Sequence, residues 1–191
     1  RDQLTALAQA AAGSDAIVQV MAPMVSTAQE AQYFRDLAHE LGIAIAGVMV
    51  EVPSCAILAD HVAQHADFMS IGTNDLTQYT LAADRLLGTV ATFQNPWHPS
   101  VLRLIETVGS AGAAHDVPVG ICGEAAADPI LAVVLVGLGA TSLSMSSSAI
   151  ADVRAELSMH SLDDARRLAA LAVSAESAEA ARAAVLGAIH P

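Results

Sequence analysis

The sequence contains no lysine: all eight of its cations are arginines, set against 20 carboxylates. That absence excludes Schiff-base chemistry and the lysine of a phosphate-binding P-loop. The net charge of −12 opposes any sequence-independent grip on nucleic acid, which needs cations along the phosphates, and it leaves no basic patch for a membrane surface. Aromatic residues make up 3% of the chain, so a base-stacking surface is not expected. The two cysteines, Cys55 and Cys122, give no disulfide framework and suit a reducing, cytoplasmic setting. No apolar run approaches the ~18 residues of a membrane span; the longest, 129–140, is broken by two glycines.

What the chain does have is alternation. Short apolar, β-branched runs at 16–21, 45–50, 68–72, 117–122 and 141–145 are separated by stretches with apolar residues three and four apart. "STAQEAQYFRDLAHELG" opens on a Ser26/Thr27 cap with Glu30 in its first turn and closes on Gly42. "DPILAVVLVGLG" places Pro129 at a first helical position. This β-α-β-α order predicts an α/β fold with a parallel sheet. After Met145 no strand returns, and two serine-capped, alanine-rich helices close the chain.

Five strands fit either an open doubly wound sheet or part of an eight-stranded (β/α)8 TIM barrel, which normally takes about 250 residues. The opening "RDQLTALAQAAAG" reads as a helix without a preceding strand, which favours the partial barrel and predicts that residues 1–191 are one truncated domain. In either architecture the chemistry belongs at the carboxyl ends of the strands.

Three strand ends carry reactive residues. "GVMVEVP" ends in Glu51, "SIGTND" runs out through Asn74 and Asp75, and "GICGE" sets Cys122, Gly123 and Glu124 at its tip. Glu51 and Asp75 lie one β/α unit apart, so their carboxylates are expected on one face. Two such acids suit Mg²⁺, a hard cation that takes one or two protein carboxylates and leaves its remaining positions to water and substrate. The first N–H groups of the helix beginning at "TND" can meet an anion. The Asn74 amide can join them, and Arg85, ten residues beyond Asp75, can return a fork of donors to the same phosphate. The plainer reading of Arg85 is a surface pair with Asp84, and of the acids, helix caps.

Other candidates are weaker. Cys122 faces the sheet's carboxyl end, although lone cysteines are commonly small buried apolar groups; Cys55 reads as structural. Glu124 can orient neighbours or contact a metal-bound water, and its plainer reading is a cap on the helix at 128. His61 and His65 have a helical metal spacing with no third ligand, and His98 caps or packs beside Trp97. "SMSSSAI" at 144–150 offers a phosphate cradle of low specificity.

At this point the residues resemble a known family, the phosphoenolpyruvate (PEP)-utilising enzymes. "DFMSIGTNDLTQYTLAADR" at 67–85 is similar to one of its signatures. "MAPMVSTAQEA", "GVMVEVPSCAILADH", "NPWHPSVLRLI", "GICGEAAADP" and "GLGATSLSMSSSAI" continue the likeness in order over nearly the whole chain. "GTNDLTQ" and "CGE" are shared with pyruvate phosphate dikinase and PEP synthase. The sequel "YTLAADR" looks more like the carboxy-terminal domain of enzyme I of the PEP:sugar phosphotransferase system. The resemblance implies a (β/α)8 barrel, here roughly strands 4 to 8 plus the last helices, binding Mg²⁺ through Glu51 and Asp75. It implies that Asn74, Asp75 and Arg85 contact PEP, that Cys122 is the proton donor to the enolpyruvate, and that the product is pyruvate. It further implies a phosphoryl-accepting histidine and a docking site for the carrier protein HPr on domains outside residues 1–191, as well as a homodimer. The carboxy-terminal domain of a pyruvate phosphate dikinase or PEP synthase, a Mg²⁺-dependent lyase or aldolase, and a dimerisation module without catalysis are the other readings.

Overall fold

A computed structural model describes residues 1–189. Five strands, β1 (Gln19–Ala22), β2 (Ile45–Val50), β3 (Met69–Gly72), β4 (Val119–Cys122) and β5 (Ser142–Leu143), form one sheet in the order β1-β2-β3-β4-β5. Every pairing is parallel. Right-handed crossovers between strands that advance in one direction put every connecting helix on the same face. A doubly wound sheet reverses its strand order at a switch point, and this sheet does not. The architecture is therefore a run of consecutive β/α units, part of a (β/α)8 barrel.

Burial follows the pleat. Val20, Ala46, Val48, Val50, Met69, Ile71, Val119 and Ile121 point to the helical layer and are buried. Their neighbours Gln19, Met21, Met49, Ser70, Gly120 and Ser142 face the other way and are exposed or half-buried. That second face is a cavity of about 600 Å³ lined by Gln19, Met21, Ile45, Ser70, Gly120 and Ser142, among others. It corresponds to a barrel interior.

The helices are set by local chemistry. In α2 (Ala28–Glu40) Thr27 accepts from the Glu30 N–H while the Glu30 carboxylate takes the Thr27 N–H, a reciprocal cap; Ser161 and Asp164 repeat the device at α9 (Leu162–Ser174). α7 (Pro129–Gly137) is apolar on every side, and Leu131 to Leu135 are all fully buried. Asp128 starts it, its Oδ1 accepting from the N–H groups of Ile130 and Leu131 and its Oδ2 from the Trp97 indole. Against its far end lies α9: a Cβ on Gly137 would sit 2.1 Å from the Ala165 carbonyl oxygen, so only glycine permits that approach. α1 (Asp2–Ala11) closes the β1 edge with Leu4, against Val20, Ala38, Ile43 and Ala46. α3 (Pro53–Ile57), α4 (Ala59–Ala63) and α6 (Pro99–His115) cover the middle of the sheet, and α8 (Ile150–Ser158) and α10 (Ala178–Ile189) complete the layer. Among the described residues no helix is long and apolar enough to cross a membrane.

Candidate active site

The polar residues collect where β2, β3 and β4 end. Glu51 follows β2 and is 92% removed from solvent, with 8% exposure remaining. Its Oε1 accepts the backbone N–H of Met24 at 2.8 Å. Met24 presents that N–H from the loop after β1 in a left-handed conformation (φ 55°), unusual for a residue with a side chain. Glu51 Oε2 lies across Gly72, 2.7 Å from where a Cβ there would stand. It meets no donor among the described residues.

Gly72 ends β3 and leads into α5 (Thr73–Leu81). Asp75 sits in the first turn of α5, where the positive end of the helix dipole favours a carboxylate. The same turn is laced to the tip of β4. The Thr73 hydroxyl donates to the Cys122 carbonyl at 2.9 Å, and Asn74 Oδ1 takes the Glu124 N–H at 3.5 Å. The glycine between those two residues, Gly123, adopts φ 95°, and a Cβ on it would stand 2.6 Å from the Thr73 hydroxyl.

Arg85 returns to this turn by a specific route. α5 stops at Ala82, whose left-handed conformation (φ 50°) reverses the chain. Ala83 N–H then bonds the Gln78 carbonyl, and Arg85 N–H bonds the Gln78 side chain. The guanidinium reaches Asp75, Nη2 to Oδ1 3.7 Å, and stays half-exposed. Asp84 takes no part in the pair; its carboxylate caps the Leu86 N–H at 2.8 Å. Arg85, Asn74, Thr73, Thr77, Gln94, Pro96 and Glu124 line one cavity of about 260 Å³.

Cys122, the register partner of Gly72, is half-buried, its thiol 3.5 Å from the Ile71 carbonyl and 3.9 Å from the Met49 sulfur. Burial pushes the thiol up from its ordinary value, a hydrogen bond with Ser70 works against this, and the charge of Glu51 adds to it. The thiol is therefore held protonated at neutral pH. Cys55 is fully buried and pushed up to about 12, chiefly by burial, which agrees with a structural role.

The described residues contain no cluster of three or more His, Cys, Asp or Glu side chains that could enclose a metal. Glu51 and Asp75 nevertheless fit magnesium: the pair supplies hard oxygens from adjacent strand ends, Glu51 Oε2 is held with no donor, and such an ion draws its other ligands from water and substrate. The remaining candidates disperse. α4 ends at Ala63, two residues short of His65, and among the described residues no third His, Cys, Asp or Glu joins His61 and His65 as a metal cluster. Asp128 caps α7, and Glu124 does not. His98 accepts from Ser100 N–H at the start of α6. Ser147–Ala149 form a single 3-10 turn ahead of α8, with the Ser146 and Ser148 hydroxyls bonded to each other. Sequence reasoning passed over Met24, Gly72, Thr77 and Gln94. The strand-ending glycine was visible in "SIGTND", but a backbone donor such as that of Met24 leaves no trace in the letters.

Comparison with known proteins bears on this geometry. Residues 1–162 match the family described as PEP-utilising enzyme, PEP-binding domain. The chain is 50% identical over 185 residues to a phosphoenolpyruvate-protein phosphotransferase of Streptomyces coelicolor, covering 96% of this chain and 33% of that protein. It is 39% identical over 188 residues to a multiphosphoryl transfer protein of Rhodobacter capsulatus, covering 95% of this chain and 22% of the relative. The chain thus spans a third or less of the length of these relatives. Among solved structures, protein CitE of Mycobacterium tuberculosis, crystallised with magnesium and acetate, superposes with a TM-score of 0.50 at 18% identity, over 83% of this chain and 66% of that one. At that identity the likeness concerns the fold alone.

Proposed function

This chain belongs to the PEP-utilising enzyme family, within its PEP-binding domain, and on that footing we propose that it forms the metal- and substrate-binding part of a PEP–protein phosphotransferase. The arrangement that carries the reading is the Asn74–Arg85 cavity, with Asp75 paired to Arg85 on its rim and Glu51 at the neighbouring strand end. Phosphoryl transfer is mostly a matter of positioning and neutralising charge. Asn74 and the first N–H groups of α5 supply neutral donors to the phosphoryl oxygens, and Arg85 supplies a charged fork. Glu51 and Asp75 would hold Mg²⁺, which would supply neutralisation of the charge that phosphoryl transfer develops.

Cys122 has the character the second half of the reaction needs. Loss of the phosphoryl group leaves an enolate, and its C3 must take a proton to become pyruvate. A thiol held protonated by its burial keeps that proton until a strong base arrives. The acceptor of the phosphoryl group is a histidine of another domain, which passes it to the carrier protein HPr and so to sugar uptake. We place the protein in the cytoplasm as a homodimer on the same reading.

The test is calorimetric titration of PEP, with and without Mg²⁺, into the full-length polypeptide that carries these residues. Wild type is expected to bind PEP only with the metal, and Arg85→Ala or Asn74→Ala to lower the rate of phosphoryl transfer ~10²–10³-fold. Metal-independent binding, or variants as active as wild type, would refute the assignment.

A further inference from the structure

The pairing of Arg85 with Asp75 is too weak to hold the arginine at the cavity by itself. The two groups stand 3.7 Å apart and the guanidinium is half-exposed; pairs open to solvent in this way contribute little against the rotamer entropy of a long side chain. The chain beyond Arg85 offers little packing either: Leu86 is 91% exposed, and Leu87 and Phe93 are exposed too. The backbone of 83–85 is nevertheless fixed, and two glutamine side chains fix it. Ala83, only 2% exposed, gives its N–H to the Gln78 carbonyl, and its own carbonyl accepts the Gln94 Nε2 amide at 3.0 Å. Two residues on, the Arg85 N–H donates to Gln78 Oε1 at 3.1 Å. The two amides act in opposite senses, Gln78 as acceptor and Gln94 as donor, because one meets a backbone N–H and the other a carbonyl. Gln94 thereby closes the base of the exposed 84–93 loop, and it lines the same cavity as Arg85.

We propose that Gln78 and Gln94 are positioning residues: they clasp the backbone that leads into Arg85, so that its side chain starts from a fixed point beside Asp75 and the cavity. The inference rests on the functional reading above and deepens it, because it names what places the arginine that grips the phosphoryl group. Each glutamine acts through Arg85 and not on the substrate. Their effect therefore falls on ligands that carry a phosphoryl group. A dicarboxylate held by the metal makes no use of Arg85 and does not register the clasp.

The experiment measures affinity for PEP and for oxalate, a dicarboxylate without a phosphoryl group, by calorimetry with Mg²⁺ in the full-length polypeptide. Gln78→Met and Gln94→Met keep the length of each side chain and remove its amide. Each is expected to weaken PEP binding ~3- to 10-fold, the range for a neutral hydrogen bond, and the pair together ~10- to 100-fold. Oxalate affinity should stay within about twofold, which also reports that the variants are folded. Arg85→Ala supplies the decisive background. There, PEP affinity read by displacement of oxalate should fall no more than about twofold when both methionines are added, since residues acting through one partner are not additive. Wild-type PEP affinity in the paired methionine variant overturns the proposal. So does an equal loss for both probes, or a loss that persists beside Arg85→Ala, because either marks general support of the fold. A wild type that binds neither probe, or an Arg85→Ala variant that binds PEP as tightly as wild type, sinks the functional reading itself and the clasp with it.

Discussion

Replacing Gly72 by alanine isolates the device that aims Glu51. The new methyl group would stand 2.7 Å from Glu51 Oε2, 3.1 Å from Glu51 Cβ and 3.2 Å from the Met49 sulfur. The backbone at Gly72 (φ −87°, ψ 89°) lies close to a conformation open to L residues, so strain of the main chain is not the obstacle. A carboxylate is the far end of a flexible side chain and would normally step aside at little cost. Here it is tethered, because Oε1 holds the Met24 N–H at 2.8 Å. Moving Oε2 away from the methyl means lengthening or losing that bond, a contact to a charged acceptor of the class that contributes ~1.5–3 kcal/mol. Against this, a glycine-to-alanine change at a compatible position stabilises a fold by ~0.4–1 kcal/mol through the unfolded chain.

The two effects fall on different observables. Thermal stability without metal is expected to fall by about 1–10 °C, the net of the two terms for a chain of this size. Divalent-ion affinity is expected to fall ~10- to 100-fold, the usual result of disturbing the groups that hold a ligand in place. Titration with Mn²⁺ followed by electron paramagnetic resonance measures the affinity, and a melt followed by the Trp97 fluorescence measures the stability. Glu51→Gln provides the reference for a lost ligand. A Gly72→Ala protein with wild-type Mn²⁺ affinity would show that the Met24–Glu51 contact does not set the metal site, and the tether argument would be refuted.

Four further outcomes follow from the same structure. Met24→Gly keeps the N–H and relieves a left-handed conformation that disfavours a side chain by ~1–2 kcal/mol, so Mn²⁺ affinity should be unchanged and chemical stability equal or higher; a loss of affinity would show that the Met24 side chain matters. Asp128→Ala removes the cap of α7 and strands the buried Trp97 indole, which should lower stability by ~2–3 kcal/mol in urea unfolding, and a change below ~0.5 kcal/mol would contradict that account. Alkylation of Cys122 by iodoacetamide, followed by mass spectrometry, should still accelerate above pH 9, since its thiol is raised above an ordinary 9.0 and only the thiolate reacts; a plateau below pH 8 would remove it as a proton donor. Cys55 bears on stability as well: its folded-state value is raised from 9.0 to about 12, so the unfolded chain gives up the thiol proton first. The fold then loses up to about 4 kcal/mol as pH climbs from 9 to 12, a slope that Cys55→Ala should remove.

Much of this architecture is legible in the sequence because it is written in local patterns. The capping boxes at Thr27 and Ser161, and the Asp128-Pro129 start of α7, are each satisfied within a few residues, so the letters suffice. Strand limits are less legible, since pairing depends on the neighbour. The run 16–21 reads as a strand from Ala16, yet the ladder begins where Gln19 meets Ile45, and Ile17 remains 81% exposed. The run 141–145 contracts to Ser142–Leu143, which pair only with Gly120 and Ile121. Hydrophobic letters report a tendency to extend, and hydrogen-bonding partners decide how much of it becomes sheet.

The candidate site divides along a similar line. Its reactive groups are readable because they sit at strand ends, where this class of fold gathers chemistry. Their connections are not. The letters suggested Asp84 as the partner of Arg85 because it is adjacent, but adjacent residues in a turn diverge. The left-handed Ala82 turns the chain back so that Asp75, ten positions away, meets the guanidinium instead. The Glu51 carboxylate is held by a backbone N–H of Met24 and by the missing side chain of Gly72, two features without a chemical signature in the sequence. On the proposed reading, reactivity at this site resides in Glu51, Asp75, Arg85 and Cys122, while its precision resides in Met24, Gly72, Ala82 and Gly123, residues that contribute a backbone geometry and no functional group. Substitutions in that second set should therefore change affinity and geometry while every reactive group remains in place.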